Sequence, residues 1–396
     1  MQLFLIKAGK AFATLKREGL FRGGKRVAVA FSKLFHRVKP ADVLFISSGV
    51  GGDSARYRIF HLIEELQNQG ISASATSQDN PFLKNYPKKF HVFIFQRVLF
   101  TPSIAQFIRE IKKQNKPIFF GTDDLVFDPQ YLSYMDYFQK MNSFEKKLYE
   151  KGVGGEILAD EFVRYGLVST SFLQKKLEEK GKKVFLVRNK LCQKDLQIAE
   201  KILQKKHPQK DTLLLGYASG TASHDKDFAV ILKPLEKLMK KYPQIRLFIG
   251  GPLQLDEKFY KHFFFRIIRA PFVPRAENFQ NLANLDINLA PLEINNPFCM
   301  AKSEIKFTEA GLVATPTVAT ATQTFKEAIV DGVDGFWAEN QNQWLQKLEL
   351  LIQNKTLRKK LGQAARKKVL QKYTTQTSDN PQFIQLLKTF SKKATV

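Results

Sequence analysis

The chain has 396 residues, 44% of them hydrophobic and 25% charged, an ordinary balance for a soluble globular protein of about two to three domains with sizeable cores. Its two cysteines, Cys192 and Cys299, exclude a disulfide framework or a thiolate metal site and fit a reducing cytoplasm, and no run of about 18 apolar residues offers a membrane-spanning helix. A formal net charge of +26 asks for anionic partners, and the absence of any recognisable DNA- or RNA-binding motif turns that expectation away from nucleic acid, toward anionic lipid and phosphorylated substrates.

Residues 1–40 are expected to form a basic amphipathic extension. From Lys7 to Lys39 the only acid is Glu18. Read as a helix, Phe4, Ala8, Ala11, Phe12 and Leu15 share a face, and after Gly23–Gly24 a second stretch aligns Val27, Phe31, Leu34 and Phe35. Such helices lie on anionic membrane surfaces. The same pattern also fits a helix packed on its own protein with a solvated basic face. The start MQLFLIK lacks a cleavage site, so no secretory signal is expected.

A first α/β domain is expected over residues 41–192. Val43–Ser47 reads as a buried strand, followed by the glycine-rich Gly49–Gly52 and a helix from about Ala55 to Gln69. His91–Gln96, Pro117–Gly121, Leu167–Ser169 and Val184–Val187 read as further strands. Residues 193–210 read as a lysine-rich helix and linker. In a second domain, residues 211–375, strands fall at Leu213–Tyr217, Arg246–Gly250, Ile287–Ala290 and Thr317–Thr320. A tail, residues 376–396, carries a last helix, Pro381–Phe390. Strands alternating with helices predict parallel sheets covered on both faces, with ligands at the carboxyl ends of the strands.

Several residues along this frame carry chemistry. Gly51 and Gly52 let backbone approach a phosphate closely, although their spacing alone fits a tight turn equally well. Arg56 and Arg58 open the following helix. Asp123–Asp124 is a carboxylate pair of the kind that can bridge a divalent cation, but it falls in the first domain, so an acceptor-side or structural role is expected and no metal. The histidines show no ligand spacing, and zinc is not expected. Lys302–Thr320 reads as a loop, a short helix bearing Glu309, a turn at Ala314–Pro316 and a strand. The amides of that helix start, with Lys302 and Ser303 beside them, suit a phosphate. Glu309, roughly two turns on, suits the neighbouring hydroxyls of a sugar. Glu304 is expected at the surface, and Asp227 as a helix cap.

Five segments, in order, resemble the GT-B glycosyltransferases of group 1, the retaining, nucleotide-sugar-dependent kind with a Glu-x7-Glu signature: SSGVGGDSARYRIFHLIEEL from Ser47, YGLVSTSFLQKKLEEKGKKVFLVRN from Tyr165, LLLGYASGTASHDKDF from Leu213, KSEIKFTEAGLVATPTVAT from Lys302, and FKEAIVDGVDGFWAEN from Phe325. The resemblance implies two Rossmann-like domains with parallel sheets facing a central cleft. It implies a nucleotide-diphosphate sugar as donor, no cofactor or metal, and a lipid-linked or polysaccharide acceptor at the cytoplasmic membrane face. Donor contacts would come from Gly51, Gly52, Ser219, Gly220, His224, Lys226, Lys302, Ser303 and Glu309, and acceptor contacts from Arg56, Asp123 and Asp124. Lys226 and Lys302 would stabilise the leaving diphosphate, and no side chain is implied as general base. The chain departs from the pattern twice. Ser219–Gly220 replaces a Gly-Arg pair, and Ala301 replaces the first glutamate. Those departures motivate an alternative, a non-catalytic GT-B-like protein that binds anionic polymer or lipid.

Overall fold

The apolar runs fold into two sheets of six parallel strands each. The computed structural model describes residues 37–48, 53–135, 138–139, 141–205, 211–220 and 225–393, with a few single positions before residue 37. Gly51, Gly52, His224 and nearly all of the basic extension lie outside the described residues.

One unit contains the chain up to Arg188 together with Ser378–Val396. Its strands are β1 (Val43–Ser47), β2 (Ala73–Ser77), β3 (Val92–Gln96), β4 (Ile118–Thr122), β5 (Tyr165–Val168) and β6 (Lys183–Leu186), in the order β2-β1-β3-β4-β5-β6. β1, β3 and β4 are buried at every position, which is why VLFIS, VFIFQ and IFFGT do not alternate. The expected helix after β1 forms, with a π-helical stretch at Arg56–His61 that buries Arg58 and points its guanidinium at the Val187 carbonyl, 2.5 Å away. The final helix, Pro381–Lys393, places Phe383, Ile384 and Leu387 in the same core as Phe45, Phe119 and Phe185. It is therefore structurally part of the unit that the chain builds first.

Asn189–Thr377 form the other unit. Here β7 (Leu213–Ala218), β8 (Ile245–Gly250), β9 (Ile267–Ala270), β10 (Ile287–Ala290), β11 (Thr317–Thr320) and β12 (Phe336–Ala338) lie in the order β12-β11-β10-β7-β8-β9. The strand order reverses between β7 and β10, the place where open α/β sheets bind ligands. The helix Ile305–Leu312 packs on Lys355–Lys372, and the approach is close enough that a Cβ on Gly362 would meet the Ala314 carbonyl oxygen at 2.0 Å.

Three strands escape the sequence reading, β2, β9 and β12, and all three are sheet edges. An edge strand has a neighbour on one side only. β2 is half-buried at its first three positions and is built from Ala, Ser and Thr, so neither an apolar run nor an alternation marks it.

Candidate active site

In the second unit the reversal point is furnished from three directions. The loop after β7 starts at Ser219, which is 4% exposed and donates its backbone N–H to the Gly250 carbonyl at 2.7 Å. Gly251 follows with φ +81°, and a Cβ there would lie 2.1 Å from the Ser219 carbonyl oxygen, so only glycine allows β7 and β8 to end this close together. Gly220 has nothing within 4 Å of the position a Cβ would occupy, so the missing side chain leaves open space. Lys226 lies in the helix Asp225–Ala229 and is exposed.

From the opposite side comes the segment Lys302–Leu312. Asp227, 2% exposed, accepts from the Lys302 ammonium at 2.8 Å, from the Cys299 thiol at 3.0 Å and from the Glu293 amide at 3.3 Å. Asp227 stands in the first turn of the Asp225–Ala229 helix and ties that helix to the Lys302 loop. Ser303 Oγ accepts from Asn189 Nδ2 at 2.9 Å. Glu304 is not at the surface: it is 1% exposed at the N-cap of the Ile305–Leu312 helix, where its carbonyl receives the Phe307 and Thr308 amides.

A lysine that the sequence reading passed over sits beside these groups. Lys306 Nζ donates to the Ala218 carbonyl at the end of β7 and lies 4.4 Å from the centre of the Tyr217 ring. Burial, then the charge of Lys302, pull its pKa down to about 8, with Glu309 and Asp227 acting the other way. Its signal in the sequence is a cation inside the otherwise largely apolar IKFTEAGL, three residues before Glu309.

Glu309 occupies the expected helix and is positioned by an ion network. Arg275 donates Nη1 to Glu309 Oε1 at 2.7 Å while its Nε and Nη2 hold Asp195 at 2.5 and 2.8 Å. Arg275 also stacks over Phe279 at 4.8 Å. Asp195, 1% exposed, lies in the first turn of the Gln193–Leu203 helix, so that helix fixes the Glu309 carboxylate through one guanidinium.

Asp227, Glu293 and Cys299 are the kind of group that could hold a cation. Burial, however, pushes the Cys299 thiol far above its ordinary pKa, and Lys302 already neutralises Asp227.

In the first unit Asp123 and Asp124 follow β4 and meet Arg97, which follows β3. Arg97 Nη1 lies 3.0 Å from Asp124 Oδ2 and 3.8 Å from Asp123 Oδ1. Burial works against the guanidinium charge, and the two carboxylates more than offset it, holding Arg97 protonated. Asp124 is pushed up to about 6 by burial and by Asp123, against the pull of Arg97; with 26% of its side chain exposed, water moderates that shift. Arg97 takes φ +51°, a left-handed conformation that is uncommon away from glycine. Both amide atoms of Gln96 and Asp123 Oδ1 are buried with no hydrogen-bond partner. Arg56 is half-buried on the π-helical stretch. Neither Gln96 nor Arg97 was singled out by the sequence, since a polar residue ending a strand is an ordinary event. A cavity of about 820 Å³ opens at the ends of β2 and β3, lined among others by Asp79, Asn80, Lys84, Phe100, Thr101 and Gln106.

Comparison with known proteins agrees with this architecture. Residues 199–368, lying in the second unit and carrying Lys226, Lys302, Lys306 and Glu309, match the family described as Glycosyl transferases group 1. No curated protein matches the chain by sequence. Among solved structures the chain is similar to HepE from Anabaena in complex with UDP and glucose, with a TM-score of 0.57 and 13% identity over 88% of this chain and 100% of that one. It is similar to the sucrose-phosphate synthase of Thermosynechococcus elongatus at a TM-score of 0.60 and 12% identity, covering 88% and 98%. A glycosyltransferase from Rickettsia africae gives a TM-score of 0.58 and 13% identity, covering 89% and 99%. Two parallel α/β units with these neighbours define the GT-B fold. Its second unit carries the glycosyl transferases group 1 domain, and the protein is a glycosyltransferase.

Proposed function

We propose that the protein transfers a sugar from a nucleotide-diphosphate donor to a hydroxyl of a lipid-linked or cell-surface polysaccharide acceptor, with retention of configuration, without a metal, at the inner face of the cytoplasmic membrane. The observation that carries this reading is the convergence of Lys302 and Lys306 on the start of the Ile305–Leu312 helix, beside the end of β7. When the sugar C1–O bond breaks, negative charge builds on the departing diphosphate oxygen. Two ammonium groups and a helix N-terminus supply fixed positive charge there, and they need no reorganisation as the charge forms. Lys226 adds a third cation from the β7 side. With these groups in place the electrostatic task of a metal is met by side chains.

Glu309, oriented by Arg275, is the ribose acceptor in this reading. The complex of HepE with UDP and glucose supports a uridine donor. Retention follows from front-side attack in which the leaving phosphate oxygen takes the acceptor proton, so no general base is required. The polar cavity of the first unit, with Phe100 in its wall and the Asp123–Asp124–Arg97 cluster at the neighbouring strand ends, supports saccharide binding on the acceptor side. Residues 1–40 supply the basic, amphipathic contact with the membrane.

Transfer and donor hydrolysis assayed with a panel of nucleotide sugars, with and without EDTA, test the reading. Turnover of one donor that survives chelation is expected. Nucleotide binding without any turnover would favour the non-catalytic alternative, and loss on chelation reversed by magnesium or manganese would remove the metal-free mechanism.

A further inference from the structure

The edge of the second sheet carries an aromatic surface that the donor site does not use. Phe265 is 93% exposed, Phe272 64%, Phe264 50% and Ile268 47%. All four fall within nine residues, on the turn Phe264–Arg266, on β9 and just after it. On β8 the half-buried Phe248 is in register with Ile268, so it extends the same face. A contiguous group of exposed phenylalanines of this kind marks a contact surface.

Arg246, Arg266 and Arg269 lie on the strands and turn that carry the phenylalanines and Lys258 on the helix before them, and among the described residues none of the four pairs with a carboxylate. Arg246 Nη1 donates to the Phe265 carbonyl at 3.2 Å, and Arg269 Nη1 to the Leu253 carbonyl at 2.9 Å. Arg266 donates to the Tyr242 and Pro243 carbonyls at 3.3 Å and packs against the Phe263 ring, 4.9 Å from its centre. Burial, and then the nearby charge of Arg246, lowers the pKa of Arg266. Two guanidiniums this close, with no carboxylate partner among the described residues, attract an anion.

We propose that this edge is a second membrane-docking surface, in which Phe264, Phe265, Ile268 and Phe272 enter the headgroup–acyl boundary of an anionic leaflet while Arg246, Lys258, Arg266 and Arg269 bind its headgroups. Apolar side chains ringed by Lys and Arg are the composition of an interfacial contact. A second copy pairing edge to edge through β9 would set four unpaired cations against four more, in a chain already at +26. The surface lies on the second unit and shares no residue with the 1–40 segment or with the donor site, so its test is separate from theirs.

Co-sedimentation of the full chain with phosphatidylcholine vesicles, with or without phosphatidylglycerol, provides that test. Phe265→Ser with Phe272→Ser removes the two most exposed rings and is expected to weaken partitioning onto phosphatidylglycerol vesicles by about tenfold or more, with melting temperature and nucleotide binding unchanged. Binding unchanged in this variant, which keeps residues 1–40, overturns the proposal. As an independent readout, Phe265→Trp is expected to show quenching by brominated lipid beyond that of the wild-type tryptophans, even at a salt concentration that weakens the headgroup contacts. No added quenching overturns the proposal, as does a dimer that the serine variant dissolves without any loss of vesicle binding.

Discussion

Lys306 and Tyr217 meet at the centre of the second unit, the ammonium 4.4 Å from the ring centre and bonded to the carbonyl of Ala218, the last residue of β7. The ring and the carbonyl hold the charge weakly, and a diphosphate would hold it strongly. Tyr217 is itself fully buried, so water cannot compete for the ring face.

This arrangement predicts a pH dependence of donor binding. The free protein holds Lys306 at about 8, against an ordinary 10.5. Between these values the unfolded chain binds the extra proton, so the Lys306 contribution makes stability rise with pH across that window. Donor binding runs the other way. It needs the cation, so affinity is level below pH 8 and falls above it, with proton uptake on binding. Lys306→Met should reduce donor affinity by roughly ten- to a hundredfold and flatten this profile. Calorimetry in two buffers of different ionisation enthalpy measures both effects. The same profile in the variant would remove Lys306 from the site.

A second titration belongs to the first unit. Asp124 sits near 6, where an aspartate ordinarily has 3.8. The folded state therefore holds more protons than the unfolded one between about 4 and 6, and this group makes stability fall as pH rises through that window. Asp123→Asn removes the neighbouring negative charge and should bring the Asp124 midpoint down, which carboxyl-carbon NMR would follow. An unmoved midpoint would show that burial alone sets it.

The sequence reading reaches the fold through long, fully buried strands such as VFIFQ and through motifs that keep their order along the chain. Thr317–Thr320 and Ile287–Ala290 fall where the pattern puts them, because central strands of a covered parallel sheet are buried at every position and have no exposed positions to blur their ends. Edge strands have only half of that signal, and β9 hides further because its outward residues, Ile268 and Arg269, break any alternation of buried and exposed positions. The candidate site is legible where a side chain sits on a motif, as Lys302 and Glu309 do. It is illegible where distance in sequence separates partners. Asp195, Arg275 and Glu309 span three helices, and nothing near Arg275 in PFVPRAENF announces two carboxylates. Glu304 is a similar case, since a glutamate before a helix is ordinarily solvated, and only the packed structure shows it buried.

Gly251 makes a backbone prediction. Its φ of +81° and the 2.1 Å approach of a Cβ to the Ser219 carbonyl leave no room for alanine. Gly251→Ala must move the end of β7, and it should cost about 1–3 kcal/mol of stability and weaken donor binding together. Gly220→Ala, at a position with open space, should leave stability nearly unchanged. Chemical denaturation of the two variants separates the cases, and equal losses would contradict the geometry.

Removing either end of the Arg275–Glu309 contact should have opposite consequences. Asp195 keeps two hydrogen bonds from Arg275 whether or not Glu309 is present, so Glu309→Ala leaves the guanidinium paired. The fold should then survive with a melting temperature near that of the wild type, while nucleotide affinity falls by roughly ten- to a hundredfold through the loss of the ribose acceptor. Arg275→Leu instead withdraws the cation from two carboxylates at once. The Asp195 side chain is 2% exposed and that of Glu309 15%, so neither can recover its full hydration. Breaking a buried pair in this way costs about 3–5 kcal/mol, which should lower the melting temperature strongly. Melting curves beside nucleotide calorimetry distinguish the two. A Glu309→Ala protein that melts early but binds nucleotide normally would mean that the carboxylate serves only the ion network, and the ribose contact would have to be sought elsewhere on the second unit.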